Sequence, residues 1–420
     1  MNATPVRPRT AVVGAGVSGL TAAYLLSRSD DVTLFEDQTR LGGHAHTHLV
    51  DAGTTKVRVD SGFIVHNDRT YPHLQRLFAE LGVQVRDTEM SMSVTDPARG
   101  IAYAGGKGLI GFIARPRQLL RPDYLQMLSS VRRFHAEASA YLADSSLDDL
   151  TTFGDFIADY PRAFVELYAV PLVSCVWSSG GTDALAYPAR SLFAFLANHG
   201  MLSVTGSPQW RTVVGGSAAY VDALAQRLAD VRLGSGVRSV TRSAGGGVQV
   251  LTDTSAEQFD RVVIATHADE ALALLADATA TEKEVLGSFG YSTNNVLLHR
   301  DQRLLPRNRA LRCSWNFTAQ ADPEAPPLVS YWMNKLQGLD PHHPLVVTLN
   351  GAHVVREDAV IASMTYTHPI FDPPALAAQR RLGEITTPVI TFAGAYHGWG
   401  FHEDGCRSGV AAAAAFGAIW

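Results

Sequence analysis

The sequence predicts an α/β fold in which one parallel sheet is assembled from separated parts of the chain and interleaved with a second domain. Three observations predict it: a glycine-rich turn between an apolar strand and a helix near the N-terminus, a return to alternating strand patterns in mid-chain, and a strand followed by a small-residue helix at the C-terminus. The first domain is therefore predicted to comprise residues 8–70, 206–290 and 386–420. Residues 71–205 and 291–385 are assigned to a substrate or cap domain.

The first glycine-rich turn has the spacing of a dinucleotide-binding loop, because it follows an apolar strand at 10–13 and opens a helix predicted over 17–26. In such a loop the first glycine permits a tight turn, the second lets the backbone approach a diphosphate, and the third lets the helix pack on the strand. The helix N-terminus then faces the phosphate charge. The residues expected to hold the diphosphate are Gly14, Gly16, Val17, Ser18 and Gly19.

A second predicted strand, 32–35, ends in two carboxylates, Glu36 and Asp37. Glu36 lies about 20 residues beyond the glycines, where a carboxylate accepts hydrogen bonds from an adenosine ribose and disfavours the 2′-phosphate of NADP. The following Arg40-Leu41-Gly42-Gly43 resembles the R-x-G-G signature of FAD enzymes in the flavin amine oxidase and phytoene desaturase group. Together these features predict bound FAD in a Rossmann-type domain of the glutathione reductase-like, amine oxidase type.

The middle of the chain is expected to complete the cofactor site. A helix introduced by Gly215-Gly216 is followed by strand-like segments at 231–240 and 247–252, and then by a buried strand that ends at Thr266. In the resembled flavoproteins the backbone at Val237 meets adenine, and the strand ending at Thr266 runs beneath the cofactor.

The C-terminal segment is expected to reach the flavin ring. A strand at 389–393 leads into a small-residue helix predicted over 405–419. In the resembled fold the N-terminus of this helix points at the flavin pyrimidine ring, where its partial positive charge stabilises reduced, anionic flavin. Gly394, Gly400 and Phe401 are therefore included among the predicted cofactor contacts.

Composition bounds the possible functions. The 420 residues carry a formal net charge of −5, so the chain lacks the basic field that nucleic-acid binding needs. No apolar leader and no run of about 18 uncharged apolar residues is present, which predicts a soluble, cytoplasmic protein. Three widely spaced cysteines, Cys175, Cys313 and Cys406, predict buried thiols rather than a disulfide framework or a CxxC metal site.

The substrate domain is predicted to combine a helical cap with a sheet floor. Residues 70–205 show mostly helical apolar spacing, as at 71–81, 124–142 and 153–173. Strand-like segments then alternate at 295–299, 328–333 and 345–349. Four tryptophans are interpreted either as the lining of an acyl tunnel or as ordinary core: Trp177, Trp210, Trp315 and Trp332.

An ordered set of motifs extends the resemblance over nearly the whole chain. The motifs are Leu41-Gly42-Gly43-His44-Ala45, Asp60-Ser61-Gly62-Phe63-Ile64-Val65, Tyr71-Pro72, Ser174-Cys175-Val176-Trp177, Pro208-Gln209-Trp210, Pro306-Arg307-Asn308, Ser314-Trp315-Asn316-Phe317, Tyr331-Trp332-Met333-Asn334 and Gly394-Ala395-Tyr396-His397-Gly398. They resemble bacterial FAD/NAD-binding oxidoreductases encoded near cyclopropane-fatty-acyl synthases, and the N-terminal oxidoreductase-like region of plant cyclopropane synthases. The resemblance implies a lipid substrate and a partner methyltransferase of the cyclopropane-fatty-acyl synthase type.

Three positions depart from the wider amine oxidase pattern. His44 stands where an arginine commonly follows the two glycines, so the phosphate contacts are expected to differ. Asn295 is placed where amine oxidases carry a lysine that holds a water near flavin N5, which argues against amine oxidation and makes Asn295 a candidate for the reaction centre. Ala395 replaces the aspartate of the usual Gly-Asp pair, which removes a carboxylate from the ribityl region.

Candidate catalytic groups cluster in the C-terminal motif, since a flavin that removes a hydride requires a base for the second proton. Tyr396, His397, His402 and Glu403 are the candidates. The alternative is that Glu403 and Asp404 only cap the last helix, and for Asp404 capping is the favoured interpretation.

A metal site is not predicted. His44, His46 and His48 alternate, and in a strand they would share one face. However, no cysteine or carboxylate partner is evident, and proximity to a flavin explains a polar face equally well.

The segment 107–134 is basic and apolar at once. Its six cations face a single acid, Asp123, and are interleaved with leucine, isoleucine and phenylalanine. Two interpretations remain open: a peripheral contact with an anionic membrane, and a solvated helical face.

The sequence thus predicts an FAD-dependent oxidoreductase that desaturates or otherwise oxidises a lipid-like substrate, such as a methyl-branched or cyclopropane acyl chain, by hydride transfer to flavin N5. A redox-neutral double-bond isomerase is the main alternative, and amine oxidation ranks below it. An accessory flavoprotein that supports a lipid methyltransferase without turnover is the alternative from a different class.

Overall fold

The computed structural model describes residues 7–106, 108–146, 149–177, 181–202, 207–322 and 325–420, with only the backbone at 108–110 and 182. The strands are β1 (Arg9–Val13), β2 (Asp31–Phe35), β3 (Thr47–Ala52), β4 (Thr55–Asp60), β5 (His66–Asn67), β6 (Val85–Thr88), β7 (Met92–Asp96), β8 (Ile101–Gly105), β9 (Trp210–Val213), β10 (Asp230–Arg232), β11 (Val237–Arg242), β12 (Val248–Thr252), β13 (Ala256–Phe259), β14 (Arg261–Ile264), β15 (Gly290–His299), β16 (Trp315–Thr318), β17 (Leu328–Trp332), β18 (Val346–Leu349), β19 (Val360–Ile370) and β20 (Ile390–Phe392).

The α-helices are α1 (Val17–Leu26), α2 (Pro72–Leu81), α3 (Gly108–Ile113), α4 (Pro122–Asp144), α5 (Phe153–Phe156), α6 (Arg162–Phe164), α7 (Val170–Trp177), α8 (Gly181–Ala186), α9 (Ala189–Asn198), α10 (Ala218–Ala225), α11 (Ala268–Leu274), α12 (Ala280–Leu286), α13 (Met333–Leu336), α14 (Pro373–Gln379) and α15 (His402–Ala415). Short 3-10 turns lie at Pro116–Leu120, Gln302–Leu304, Arg309–Leu311, Glu357–Ala359, Leu382–Ile385 and Ala395–His397, and a π-helical turn lies at Val165–Ala169.

A five-stranded parallel sheet in the order β10-β2-β1-β14-β20 draws its strands from both ends and the middle of the chain. Its central strand β1 is buried on both faces, which explains the continuous apolar run in the sequence. Helices α1 and α15 pack together on one face of this sheet. A Cβ at Gly409 would lie 2.3 Å from the Ser18 carbonyl oxygen, so the small residues of α15 permit this close approach. The predicted α/β fold with a Rossmann-type sheet is confirmed.

A seven-stranded mixed sheet, in the order β19-β15-β18-β17-β16-β7-β8, lies opposite. Its pairs are antiparallel except β16 with β7, which is parallel. Helices α4 to α9 bury their apolar side chains, among them Phe134 and Phe193, in one core with this sheet. The division of the chain into two domains at the predicted boundaries stays a prediction.

Residues 85–105 correct the mostly helical interpretation of 70–205. They form β6, β7 and β8, of which β6 pairs with β9 and β7 with β16, both far along the chain. The single apolar stretch at 153–173 is also broken into short helices, with Pro161 capping α6. Pairing partners more than 100 residues away and a proline in a helical pattern override local spacing here.

All three cysteines are buried thiols, as predicted. In the described parts of the chain, no helix has both the length and the apolarity needed to cross a bilayer.

Candidate functional site

A cavity of about 750 Å³ extends from the carboxyl ends of β1 and β2 to the seven-stranded sheet. Most of the residues predicted to contact the cofactor line it. They are Gly14, Gly16, Val17, Ser18, Glu36, Asp37, Arg40, Gly42, Gly43, His44, Val237, Thr266, Gly394, Gly400 and Phe401. The cavity therefore joins the N-terminal, central and C-terminal motifs into one site.

The two N-terminal glycine motifs pack directly against each other. The Gly42 backbone N–H donates to the Ala15 carbonyl at 2.8 Å, and a Cβ at Gly43 would lie 3.2 Å from the Gly16 Cα. Gly14 and Gly42 have φ values of 97° and 105°, which L-residues with side chains rarely adopt. The R-x-G-G loop thus forms one wall of the dinucleotide loop.

Gly19 lies beneath the cavity rather than in its lining. A Cβ at this position would be 1.9 Å from the Gly14 carbonyl oxygen. Its small size therefore serves the packing of α1 on the loop, as the motif predicts.

The adenosine end of the site is acidic. Glu36 Oε2 accepts from the Ala15 N–H at 2.8 Å, and Oε1 accepts from the Gln38 N–H at 2.9 Å, so this carboxylate is fixed beside the glycine loop. Asp37 lies 3.6 Å from the Arg238 guanidinium, next to Val237. This end presents oxygens where hydroxyl donors of a ribose would lie.

Two observations show that these residues fit a bound dinucleotide. A Cβ built on Gly16 meets nothing within 4 Å, so space is open directly above the loop. His44 Nε2 is buried without a hydrogen-bond partner among the described residues. An open cradle and a buried polar atom without a partner both indicate that a polar ligand belongs here.

The other end of the cavity is lined by aromatic and aliphatic side chains. They include Trp177, Phe195, Trp210, Trp315, Tyr331, Leu349 and Phe371. The acidic and basic side chains of the lining, other than histidine, lie in the loop after β2, on β11 or on α11: Glu36, Asp37, Arg40, Arg238 and Glu270. Charge is thus confined to the nucleotide end in the described residues.

Of the predicted catalytic residues, Tyr396 and His402 line the cavity. His402 Nε2 lies 2.8 Å from the Tyr220 hydroxyl, and its ring stacks on Phe63 at 3.8 Å. Burial lowers the pKa of His402 to about 3, so the ring is neutral at neutral pH. Burial also raises the pKa of Tyr396, so this phenol keeps its proton.

Glu403, His397 and Asn295 are not among the residues that line this cavity, and their catalytic roles stay predictions. Glu403 turns away because its carboxylate accepts from the His73 and Leu74 backbone N–H groups and lies 2.7 Å from His73 Nδ1. His397 Nε2 and Asn295 Oδ1 are buried without partners among the described residues.

Asp404 caps the N-terminus of α15, as favoured above. Its Oδ2 accepts from the Trp399 and Phe401 backbone N–H groups, and its Oδ1 pairs with Arg407 at 2.8 Å. Burial raises its pKa to about 6.

Several lining residues were not found from the sequence. Tyr366 and His368 on β19, and His267 after β14, lie in the cavity wall beside His44. The Tyr366 hydroxyl lies 2.8 Å from Ser61 Oγ, which follows β4, and 3.0 Å from His46 Nδ1, which precedes β3. No local motif marks Tyr366 and His368, which reach the site through the pairing of β19 with β15.

Of the three alternating histidines only His48 lies on a strand, because β3 begins at Thr47, although the ring centroids of His46 and His48 are 4.1 Å apart. His46 contacts Tyr366, whereas His48 Nε2 lies 2.8 Å from Ser61 Oγ. Within the described ranges, no group of three or more histidine, cysteine or acidic residues is placed to hold a metal ion.

The family model for flavin-containing amine oxidoreductases matches residues 17–416. The chain belongs to this family. It is accordingly an FAD-dependent oxidoreductase with the amine oxidase-type fold, which confirms the predicted cofactor and enzyme class.

Curated relatives are distant. A flavin-dependent L-tryptophan oxidase of Lentzea aerocolonigenes is 28% identical over 251 residues, which cover 54% of this chain and 51% of that protein. A coproporphyrinogen III oxidase of Mycobacterium leprae is 27% identical over 293 residues, 63% of this chain and 60% of that protein. A tryptophan 2-monooxygenase of Allorhizobium ampelinum matches over only 45 residues, 6% of its length. The chain spans well under two thirds of the length of these relatives.

Solved structures share the fold over the whole chain. A CLA-producing fatty acid isomerase from P. acnes superimposes with a TM-score of 0.69 at 16% identity, covering 96% of this chain and 97% of that one. Cyclohexylamine oxidase from Brevibacterium oxydans gives 0.70 at 16% identity, covering 98% of each. The finer resemblance to proteins associated with cyclopropane synthases has no support in these comparisons and stays a prediction.

Proposed function

We propose that this flavoenzyme oxidises an apolar, lipid-like substrate, desaturating an acyl chain. The observation that carries the proposal is the separation of charge in the cavity. Its glycine-rich end holds charged side chains, whereas its other end offers aromatic and aliphatic groups, such as Trp177 and Leu349. An acyl chain gains free energy from burial against such a lining.

The same separation argues against an amine as the substrate. A substrate ammonium desolvated at the aromatic end is stabilised most strongly by a carboxylate partner, and a substrate carboxylate by a cation. Neither is present in the described lining of that end. The sequence also predicts Asn295 at the position where amine oxidases carry a lysine.

Bound FAD would supply acceptance of a hydride from carbon. The chain itself positions the substrate and excludes water. The stacked rings of Phe63 and His402 form a flat wall. Trp315 and Tyr331, with ring centroids 5.7 Å apart, form part of another wall beside the seven-stranded sheet.

An anaerobic titration tests the proposal. The purified holoenzyme is mixed with saturated, methyl-branched and cyclopropane phospholipids, and the absorbance of oxidised flavin at about 450 nm is followed, a band that the cofactor sets. Bleaching by a lipid, with an unsaturated product found by mass spectrometry, is the expected result. Bleaching by amines alone would overturn the proposal. A changed lipid with an unbleached flavin would replace desaturation by isomerisation, the activity that the P. acnes neighbour carries in its name.

A matched pair of variants adds a control. Trp315→Arg places a cation in the aromatic end and is expected to abolish bleaching by lipid while FAD remains bound, because Trp315 lies far from the glycine loop in sequence and on a different sheet. Leu251→Arg introduces the same charge at a 42% exposed position on β12 and is expected to behave as wild type.

A further inference from the structure

The segment that covers one edge of the seven-stranded sheet exposes large apolar side chains to solvent. The α3–α4 surface, defined as residues 111–134, covers this edge beside β8. Within it Leu120 is 84% exposed, and Ile113 and Leu125 are each 47% exposed. Single exposed apolar residues are ordinary, whereas three within thirteen positions form a patch.

Local packing holds these side chains outward. Gln118, two residues before Leu120, occupies the interior position. It is 3% exposed, its Oε1 accepts from the Ala102 N–H at 3.2 Å, and its Nε2 donates to the Phe112 carbonyl at 3.1 Å. Since the inner position is filled and hydrogen-bonded, Leu120 cannot turn inward without breaking these bonds.

The same surface carries an excess of positive charge. Two of its arginines, Arg121 and Arg133, form ion pairs with Asp123 and Glu137. Three further arginines have no ion-pair partner in the part of the chain that the structure describes: Arg115, Arg117 and Arg132. Lys107, the first cation of the predicted segment, lies outside the described residues.

We propose that the α3–α4 surface docks on an anionic phospholipid bilayer. Leu120 and its apolar neighbours would enter the headgroup boundary, while the unpaired arginines would contact lipid phosphates. Anionic lipid is the favoured occupant because it offers apolar depth and negative charge together, which this surface matches. The inference rests on the proposed function, since a bilayer is the source of a phospholipid substrate.

Vesicle sedimentation tests the docking. The holoenzyme is mixed with vesicles of phosphatidylglycerol and phosphatidylcholine in equal amounts, or of phosphatidylcholine alone, and the bound fraction is measured against lipid concentration. Binding is expected only with phosphatidylglycerol and is expected to weaken at high salt. Leu120→Ser should lower the apparent affinity about tenfold, and Arg117→Gln about fivefold.

Matched variants control for nonspecific effects. Leu49→Ser changes a 63% exposed leucine on β3, and Arg227→Gln removes an exposed arginine after α10, both outside the α3–α4 surface. Both should bind vesicles as wild type does. The proposal is overturned if wild type stays in the supernatant with anionic vesicles, or if Leu120→Ser and Arg117→Gln bind as tightly as these controls.

The two proposals fail separately. Vesicle binding needs no flavin reduction, so it can be present in a protein that does not oxidise lipid. Conversely, bleaching by phospholipid dispersed in detergent micelles together with absent vesicle binding would keep the proposed function and remove the docking surface.

Discussion

The rings of His44 and His368 lie 5.4 Å apart, centroid to centroid, in the wall of the cavity, and burial keeps both neutral. Burial lowers the pKa of His368 to about 4 and that of His44 well below its ordinary value. A hydrogen bond to the Thr367 backbone engages His44, while its Nε2 has no partner. His44 lines the cavity, and the preceding residue, Gly43, packs on Gly16 of the dinucleotide loop.

We expect FAD to bind more tightly as the pH falls. A neutral Nε2 would set a lone pair against an oxygen of the FAD diphosphate, which is unfavourable. The negative charge of the diphosphate therefore raises the pKa of His44, and FAD binding is accompanied by uptake of a proton. The affinity then increases by up to about tenfold per pH unit as the pH falls through the raised pKa, and levels off where His44 is protonated without FAD. Titration of apoprotein with FAD between pH 5 and 8 measures this.

The groups around His44 allow the effect to be assigned to it. Burial is the largest cause of the lowered pKa of His44, and the neighbouring rings of His368, His267 and His402 lower it further. His44→Gln keeps a polar side chain without a titrating group and should flatten the pH dependence. An unchanged slope in this variant would contradict the assignment.

Substitutions of two glycines should have opposite consequences. Gly16 has φ of −70° and open space at its Cβ, so Gly16→Ala should leave the stability of the apoprotein unchanged and weaken FAD binding about tenfold or more. Gly19→Ala should instead cost about 1–3 kcal/mol in unfolding free energy, because its Cβ would overlap the Gly14 carbonyl. Urea denaturation and FAD titration separate the two. If both variants changed stability and FAD affinity equally, the open space above Gly16 would not be part of the FAD site.

Glu403 is expected to be structural rather than catalytic. It accepts two backbone N–H groups at the start of α2 and contacts His73, so Glu403→Gln should cost about 1–2 kcal/mol in unfolding free energy. The rate constant of flavin reduction should change less than about twofold, a shift of under about 0.5 kcal/mol. Stopped-flow reduction and urea denaturation measure these. Glu384→Gln, at an exposed ion pair with Arg381, serves as the control with little effect on either. A large loss of rate in Glu403→Gln with intact stability would restore the catalytic interpretation.

Asp60 is expected to be a major contributor to stability. It is 1% exposed, and its carboxylate accepts hydrogen bonds from the Ser217 backbone N–H and hydroxyl, from the Thr47 hydroxyl and from Gln337 Nε2 at 2.7 Å. These hydrogen bonds join the hairpin β3–β4 to α10 and α13. Asp60→Ala should cost about 3 kcal/mol because buried donors lose their acceptor. Asp60→Asn keeps one oxygen and should cost less. Denaturant midpoints at constant slope measure both, and a loss below about 1 kcal/mol for Asp60→Ala would show that water replaces the carboxylate.

The sequence by itself determined the nucleotide half of the site. Its elements are local: a strand, a glycine turn, a helix and a following carboxylate are encoded in about 30 consecutive residues, the size of one βαβ unit. Helix α1 begins and ends at the predicted residues, and Glu36 lies beside the glycine loop. Short-range sterics and hydrogen bonding impose this pattern wherever it occurs, so no distant contact is needed to recognise it.

Only the tertiary structure decided the substrate half. Tyr366 and His368 line the cavity because of the register in which β19 pairs with β15. Strand β7 likewise pairs with β16, more than 200 residues away in the sequence. The same tertiary contacts turn Glu403 toward α2 and away from the cavity, although it adjoins His402, which lines it. Side-chain direction and strand register depend on partners that no local spacing encodes, and this is why the sequence placed the cofactor but not the groups around the substrate.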